Sequence, residues 1–297
     1  MNQEVDDPLL TIVVPVHNMA GRLANLSMWL DDAQTHKVKV ILVHDKSEDE
    51  TGAELLQLLE MKSSQNFFLI ETNVQSPGLS RNRGLEIVDT PWFSFVDSDD
   101  IAYIPSILNL IRETALNDCE IGVGSYISRN LISDEERLVK PPRANKQAIA
   151  LHLAKEMGLW RFVLLTSSLG DIRFTHHKMG EDYLYTSLIL DRTDEIYTSS
   201  EIIYKYFHGG ISNLTSNKLV MSDMIGVIDL IRRIKSINGT AVAFRIFAAQ
   251  KLTLSVLKNL KLKEKFVKKV QLSICLILNP IQLVKLVVSL KIKKIGF

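Results

Sequence analysis

Residues 93–100 read Phe-Ser-Phe-Val-Asp-Ser-Asp-Asp, an apolar run that ends in three carboxylates, Asp97, Asp99 and Asp100. Like charges this close repel one another, so the cluster calls for a reason. If an extended strand continues through it, Asp97 and Asp99 share a direction. Two carboxylates at a strand end form an oxygen-rich site for a hard divalent cation, commonly completed by substrate phosphates. The competing reading is a solvated turn that caps the next helix, because Asp is a favoured N-cap. Other chemistry-bearing residues stand out along the chain: His17 with Asn18, Asp45, the run Gly180-Glu181-Asp182, and His208 ahead of two glycines.

These residues need elements to place them. Leu9 to Val16 is a short β-branched run, the mark of a strand buried on both faces. Val38 to His44, Asn66 to Glu71 and Trp92 to Val96 read as further strands, separated by helical patterns at Ala20–Leu30, Asp49–Met61 and Leu79–Val88. Strands alternating with helices imply right-handed βαβ units and a mostly parallel sheet. Ligands of such sheets bind beyond the carboxyl ends of the strands, where His17, Asn18, Asp45 and the Asp97 cluster all fall. The second half is less regular. Cys119 to Ser128 reads as a strand, Asp134 to Ala144 as a charged loop with two prolines, and Asn145 to Met157 as a helix. After Ser216 the pattern is helical, with breaks at Asn238-Gly239 and Asn279-Pro280. There is no internal repeat, low-complexity tract or clear interdomain linker.

The chain has 297 residues, 46% of them hydrophobic, enough for one large domain or two small ones with a real core. Two cysteines, Cys119 and Cys275, give no disulfide framework, so a reducing cytoplasm is the expected setting. The first residues are acidic and polar, without the pattern of a secretory leader. From Lys251 onward there are eleven lysines against the single acid Glu264, so that segment carries +10; with a whole-chain net charge of +1, the preceding residues carry −9. The apolar stretches of this segment are punctured by Asn279, Pro280, Gln282 and Lys285, too soon for a spanning helix of about twenty apolar residues. A basic amphipathic segment on an anionic membrane surface fits, which would put the protein at the inner face of the cell membrane. The alternative is a helical unit that packs its apolar face on the body or on a second subunit. Nucleic acid is not an expected partner, because the lysines are not interleaved with stacking aromatics.

Four segments, in order, resemble the motifs of the family 2 inverting glycosyltransferases with the GT-A fold. They are Thr11–Asn18 (TIVVPVHN), Val43–Thr51 (VHDKSEDET), Pro77–Asp100 (PGLSRNRGLEIVDTPWFSFVDSDD) and Met179–Tyr185 (MGEDYLY). The resemblance implies an α/β, GT-A (Rossmann-like) architecture. A mostly parallel central sheet flanked by helices would fill residues 1–215, with a helical, basic C-terminal extension over 216–297. By position, Asp45 would read the nucleotide base, with Pro15, His17 and Arg81 also on the donor side. Asp97 and Asp99 match the Asp-x-Asp motif, Asp99 as the metal ligand and Asp97 on ribose or metal. Asp100 is expected to cap the next helix. His208 falls where the family often has a metal- or diphosphate-binding His. Trp160 with Arg161 resembles a Trp-basic pair on the acceptor side, and Glu181 would orient the acceptor. His176 and His177 lack metal-ligand spacing.

The resemblance assigns the catalytic base to Asp182, which would take a proton from the acceptor hydroxyl. A helix N-terminus there is expected to lower its pKa. The implied reaction moves a hexosyl or N-acetylhexosaminyl group from a nucleotide-diphosphate sugar, usually UDP-linked, with Mn²⁺ or Mg²⁺. The implied acceptor is a glycan or lipid-linked hydroxyl in cell-surface polysaccharide synthesis. Two alternatives stay open: a catalytically inactive sugar-nucleotide binder on the same fold, and a nucleotidyltransferase. The second wants a Gly-rich, Arg-containing first loop, whereas residues 18–26 hold one glycine. The family's Asp-Asp-Gly-Ser is here His44-Asp45-Lys46-Ser47, and His17 replaces a frequent Tyr, which bears on donor identity more than on activity. The sequence leaves the oligomeric state open.

Overall fold

The structure is a computed structural model and describes residues 8–209, 218–235 and 238–259. Its first half is a βα repeat: β1 (Leu10–Val16), α1 (Ala24–Thr35), β2 (Lys39–Asp45), α2 (Thr51–Lys62), β3 (Phe67–Thr72), α3 (Pro77–Leu85) and β4 (Trp92–Phe95). These strands pair in parallel in the order β3-β2-β1-β4. Alternation along β1 explains why it is apolar throughout. Val13 enters one core, shared with Phe93 and Phe95, while Ile12, Val14 and Val16 enter the other beneath α1.

The second half completes one curled, mostly parallel sheet. It comprises β5 (Ile101–Ala102), α4 (Ile104–Leu116), β6 (Ile121–Asn130), β7 (Glu136–Val139), α5 (Lys146–Lys155), a 3₁₀ turn at Leu159–Arg161, β8 (Phe162–Leu165) and α6 (Thr166–Leu169). Then come α7 (Glu181–Arg192), β9 (Ile196–His208), α8 (Lys218–Arg233) and α9 (Gly239–Asn259). The order continues β4-β8-β6-β9-β5. β8 runs antiparallel to β4 and β6, and the long β6–β9 ladder returns to parallel.

Local differences from the sequence expectations have physical causes. Helix α1 starts at Ala24 rather than Ala20, because Asn18 (φ 51°) and Gly21 (φ 71°) hold a left-handed turn. That turn gives its N–H groups to side chains in the first turn of α2: Met19 to Thr51 Oγ1 and Gly21 to Glu54. Helix α3 starts earlier than Leu79, at Pro77, since Ser76 caps it and proline suits the first helical position. The stretch read as a charged loop contains β7, an edge strand whose Glu136 pairs with Arg129 and Lys205. Helix α3 lies close on the sheet because position 84 is glycine; a Cβ there would stand 2.3 Å from Val13 Cγ1.

Helices α8 and α9 pack on α5 and α7. Met224, Val227, Ile231, Phe244, Ala248 and Leu252 join the same core as Val13 and Phe95. Buried Arg245 donates to Ser187 Oγ and pairs with Asp191 at 3.3 Å. This part of the C-terminal region therefore lays its apolar face on the body. Most of the lysine-rich stretch read as membrane-seeking, residues 260–297, lies outside the described residues. Among those described, no helix is long and apolar enough to cross a membrane.

Candidate active site

The three acids after β4 do different jobs. Asp100 is fully buried; its Oδ2 accepts from Tyr204 Oη at 2.8 Å and its Oδ1 from the Phe207 N–H at 2.8 Å. Tyr204 Oη also accepts the Asp97 N–H at 3.1 Å. Asp100 thus ties the turn to β9 and does not cap α4, whose N-cap is Tyr103. Burial, then Asp99 and Asp97, hold its carboxyl well above the usual range. Asp100→Ala would leave the Tyr204 O–H and the Phe207 N–H without an acceptor. It is expected to cost about 3 kcal/mol in chemical unfolding, the scale of losing charge-assisted bonds to buried groups.

With Asp100 anchored, Asp97 and Asp99 are the members left for chemistry. Asp97 keeps a third of its side chain exposed, and Asp99 is exposed at the rim although protein crowds its carboxyl. Burial and the charge of Asp97 push Asp99 up. Asn25 Nδ2 holds the Asp99 carbonyl at 2.7 Å. Among the described residues no group of three or more His, Cys, Asp or Glu is gathered for a metal. The pair Asp97–Asp99, carrying mutual repulsion, nevertheless suits a hard divalent ion whose remaining ligands are phosphate oxygens.

Arg81 links this pair to the start of α7. Its Nη2 lies 2.7 Å from Asp97 Oδ1 and its Nη1 3.3 Å from Glu181 Oε1. The guanidinium is buried between the rings of Phe95 and Phe174, at 6.0 and 5.7 Å. Burial works against its charge, but Asp97 and Glu181 more than offset this and hold its pKa above the usual value. Its Nε has no partner among the described residues.

Glu181 and Asp182 open α7 after Gly180, which takes a left-handed conformation (φ 82°) that favours glycine. Glu181 is buried; Asp182 is half-buried, with its Oδ1 on the Tyr183 N–H at 2.8 Å. Burial pushes both carboxyls up, Asp182 adds to the rise of Glu181, and Arg81 opposes it at both. The expected lowering of Asp182 at the helix start is therefore overturned: burial outweighs the Tyr183 N–H, Arg81 and Lys251 together.

The donor-side candidates gather at the carboxyl ends of β1 and β2. Asp45 is buried and its carboxylate accepts from the N–H groups of Val74 and Ser76 and from Ser80 Oγ, at 2.9, 3.1 and 3.1 Å. It holds the loop between β3 and α3, leaving about one of its four acceptor positions for a ligand. His17 Nδ1 meets the Asp45 carbonyl at 2.7 Å, with His17 exposed and Pro15 half-buried beside it. Sequence reasoning does not single out the neighbouring relay, in which His44 Nδ1 meets Glu71 Oε2 at 2.8 Å and His44 Nε2 meets Ser47 Oγ at 2.9 Å.

One expected acceptor contact is closed off. Trp160 is buried, its face stacked on Tyr204 (4.4 Å between centroids, 4° between planes) and its side met by Tyr126. It has no open face for an acceptor, because the core behind β9 consumes its aromatic surface. His208 ends β9 and rests against Tyr206 at 5.6 Å, one residue beyond the Phe207 N–H that anchors Asp100. His176 and His177 stack on each other, and His177 Nδ1 meets Thr175 Oγ1. Tyr206 and Lys251, both near the acids, are also missed by the sequence reading.

A parallel half-sheet with an acid pair at its carboxyl edge, joined through an arginine to acids opening a helix, sits in a fold of the GT-A type. Residues 11–173 match the model of glycosyl transferase family 2, and the chain belongs to that family. It is 26% identical over 233 residues to the glycosyltransferase GlyA of Streptococcus pneumoniae, covering 72% of this chain and 33% of that protein. The chain thus spans about a third of that relative's length. It is 22% identical over 230 residues to the GalNAc(5)-diNAcBac-PP-undecaprenol beta-1,3-glucosyltransferase of Campylobacter jejuni, covering 75% and 73% of the two chains. Among solved structures, S. aureus TarS 1-349 in complex with UDP-GlcNAc is similar in fold (TM-score 0.61, 16% identity, 86% of this chain, 76% of that chain).

Proposed function

We propose that the chain is a metal-dependent inverting glycosyltransferase. It moves a hexosyl or N-acetylhexosaminyl group from a UDP-sugar to a hydroxyl of a glycan or lipid-linked acceptor in cell-surface polysaccharide synthesis. The observation that carries this reading is the double ion pair of Arg81. One side chain joins Asp97, 16 residues away, to Glu181, 100 residues away, so the Asp-x-Asp and Glu-Asp segments lie against the same guanidinium. The UDP-GlcNAc bound by TarS supports a UDP-linked donor. The undecaprenol-linked acceptor in the name of the Campylobacter relative supports a lipid-linked one.

In this reading Asp45, Pro15 and His17 contact the nucleotide, and Asp97 and Asp99 hold the divalent ion, Mn²⁺ or Mg²⁺, with His208 at the rim beside them. Such an ion, when bound, neutralises charge gathering on the leaving diphosphate. Asp182 accepts the proton of the acceptor hydroxyl, whose oxygen bonds to the anomeric carbon. The bond from that carbon to the diphosphate breaks, and its electron pair leaves with the diphosphate. Glu181, held by Arg81, orients the acceptor. Residues 1–215 form the catalytic unit. The C-terminal region 216–297 buttresses it through α8 and α9, and its lysine-rich remainder attaches the enzyme to the inner face of the cell membrane.

The test is thermal-shift binding of UDP, GDP, dTDP and CDP, each with and without Mn²⁺. One nucleotide is expected to raise the melting temperature in a metal-dependent way, with about 2.7 kcal/mol of stabilisation at a hundredfold excess over Kd. Asp99→Ala is expected to remove the rise. No rise with any nucleotide, in folded protein, sinks the reading.

A further inference from the structure

The face of β9 that reaches the acids is a column of alternate residues, Tyr204, Tyr206 and His208. Tyr204 is buried and spends its hydroxyl on Asp97 N–H and Asp100. Tyr206 is the next step outward. Its ring stacks on Trp160 at 5.4 Å and on His208 at 5.6 Å, both at 21° between planes, and it is half-buried. Among the described residues its hydroxyl has no hydrogen-bond partner.

Resting on the glycosyltransferase reading, that position has a chemical meaning. In a displacement with inversion the anomeric carbon lies between the leaving diphosphate and the attacking oxygen. Tyr206, one step outward from the hydroxyl that holds the Asp97 turn, borders the carboxylates on the diphosphate side and so lies beside the sugar ring being transferred. We infer that Tyr206 is a sugar-binding residue whose hydroxyl donates a hydrogen bond to a hydroxyl or substituent oxygen of the transferred sugar. Trp160 supports it from behind.

The test compares the wild-type protein with Tyr206→Phe, which keeps the stack and removes only the hydroxyl. Titrations with Mn²⁺ would use free UDP, UDP-glucose and UDP-N-acetylglucosamine, with the GDP and dTDP pairs as alternatives. Tyr206→Phe is expected to bind the free diphosphate as wild type does. It should weaken the matching nucleotide sugar, and lower kcat/KM for it, by about tenfold, the scale of one lost hydrogen bond. The melting temperature should be unchanged, whereas Tyr206→Ala should lower it by breaking the stack. Equal affinity for the nucleotide sugar in wild type and Tyr206→Phe, or equal losses for sugar-bearing and sugar-free ligands, overturns the sugar contact alone. A wild-type protein that binds none of these ligands overturns the glycosyltransferase reading and this inference with it.

Discussion

Asp182→Asn is expected to stop sugar transfer while leaving donor binding intact. General-base catalysis by a positioned carboxylate contributes on the order of 10²–10⁴-fold, and an amide of the same shape cannot take the acceptor proton. The substitution is mild for the fold. The amide oxygen of the introduced side chain can still accept from the Tyr183 N–H, the bond Asp182 makes now at 2.8 Å. Burial raises the Asp182 carboxyl, so the native state holds that proton more tightly than the unfolded chain does. Stability linked to such a group is present at low pH and lost as pH rises through the native pKa. Removing it should leave the variant at least as stable near neutral pH. The same shift sets the sign of the pH profile in the wild type. The base must be ionised, so activity should rise with pH along an acid limb lying above the ordinary aspartate range, where the Glu181–Asp182 pair titrates together. Donor turnover in Asp182→Asn, measured beside nucleotide-sugar affinity, decides the matter. Turnover retained within a few-fold would place the base elsewhere. A wild type that binds donor with metal and never turns it over would instead make the chain a sugar-nucleotide binder.

The parts of this site that are legible in the sequence are those that depend on period and order. The runs at β1, β2 and β4 are continuous and apolar because each has a strand on both sides, and their carboxyl ends carry His17, Asp45 and Asp97 as the βα pattern requires. What escapes depends on long-range contact. Nothing local distinguishes Asp100 from Asp99; only the return of β9, more than 100 residues later, gives it Tyr204 and Phe207. Trp160 next to Arg161 looks like a binding pair, yet its ring is consumed by Tyr204 and Tyr126. Strand β8 is four residues long, too short for its period to register. The direction of the Asp182 shift escapes because helix position is local, whereas the burial that dominates comes from long-range packing, with α8 and α9 against α7. The period-two spacing of Tyr204, Tyr206 and His208 is the available signal for the column on β9.

Arg81→Met should damage stability and activity together, and the reason separates this arginine from an ordinary phosphate-facing one. Arg81 and Glu181 are both buried, so an apolar replacement strands the Glu181 carboxylate without a counter-charge. Removing one partner of a buried ion pair costs about 3–5 kcal/mol; the low end applies here, because Asp97 remains a third exposed and can regain water. Arg81→Lys should rescue little. A single ammonium cannot span two carboxylates at 2.7 and 3.3 Å as the planar fork does. Without the guanidinium, Glu181 and Asp182 lose the charge that opposes their rise, so the acid limb of activity should move to higher pH in whatever protein remains folded. The control is the pair Arg81→Met with Glu181→Gln, which removes the stranded charge. It should recover about 1–3 kcal/mol relative to Arg81→Met alone in urea unfolding. If the double variant is as unstable as the sum of its singles, Arg81 acts by filling space between Phe95 and Phe174. If stability returns while transfer does not, the arginine's second task is to hold the donor carboxylate and the acceptor acids in one register.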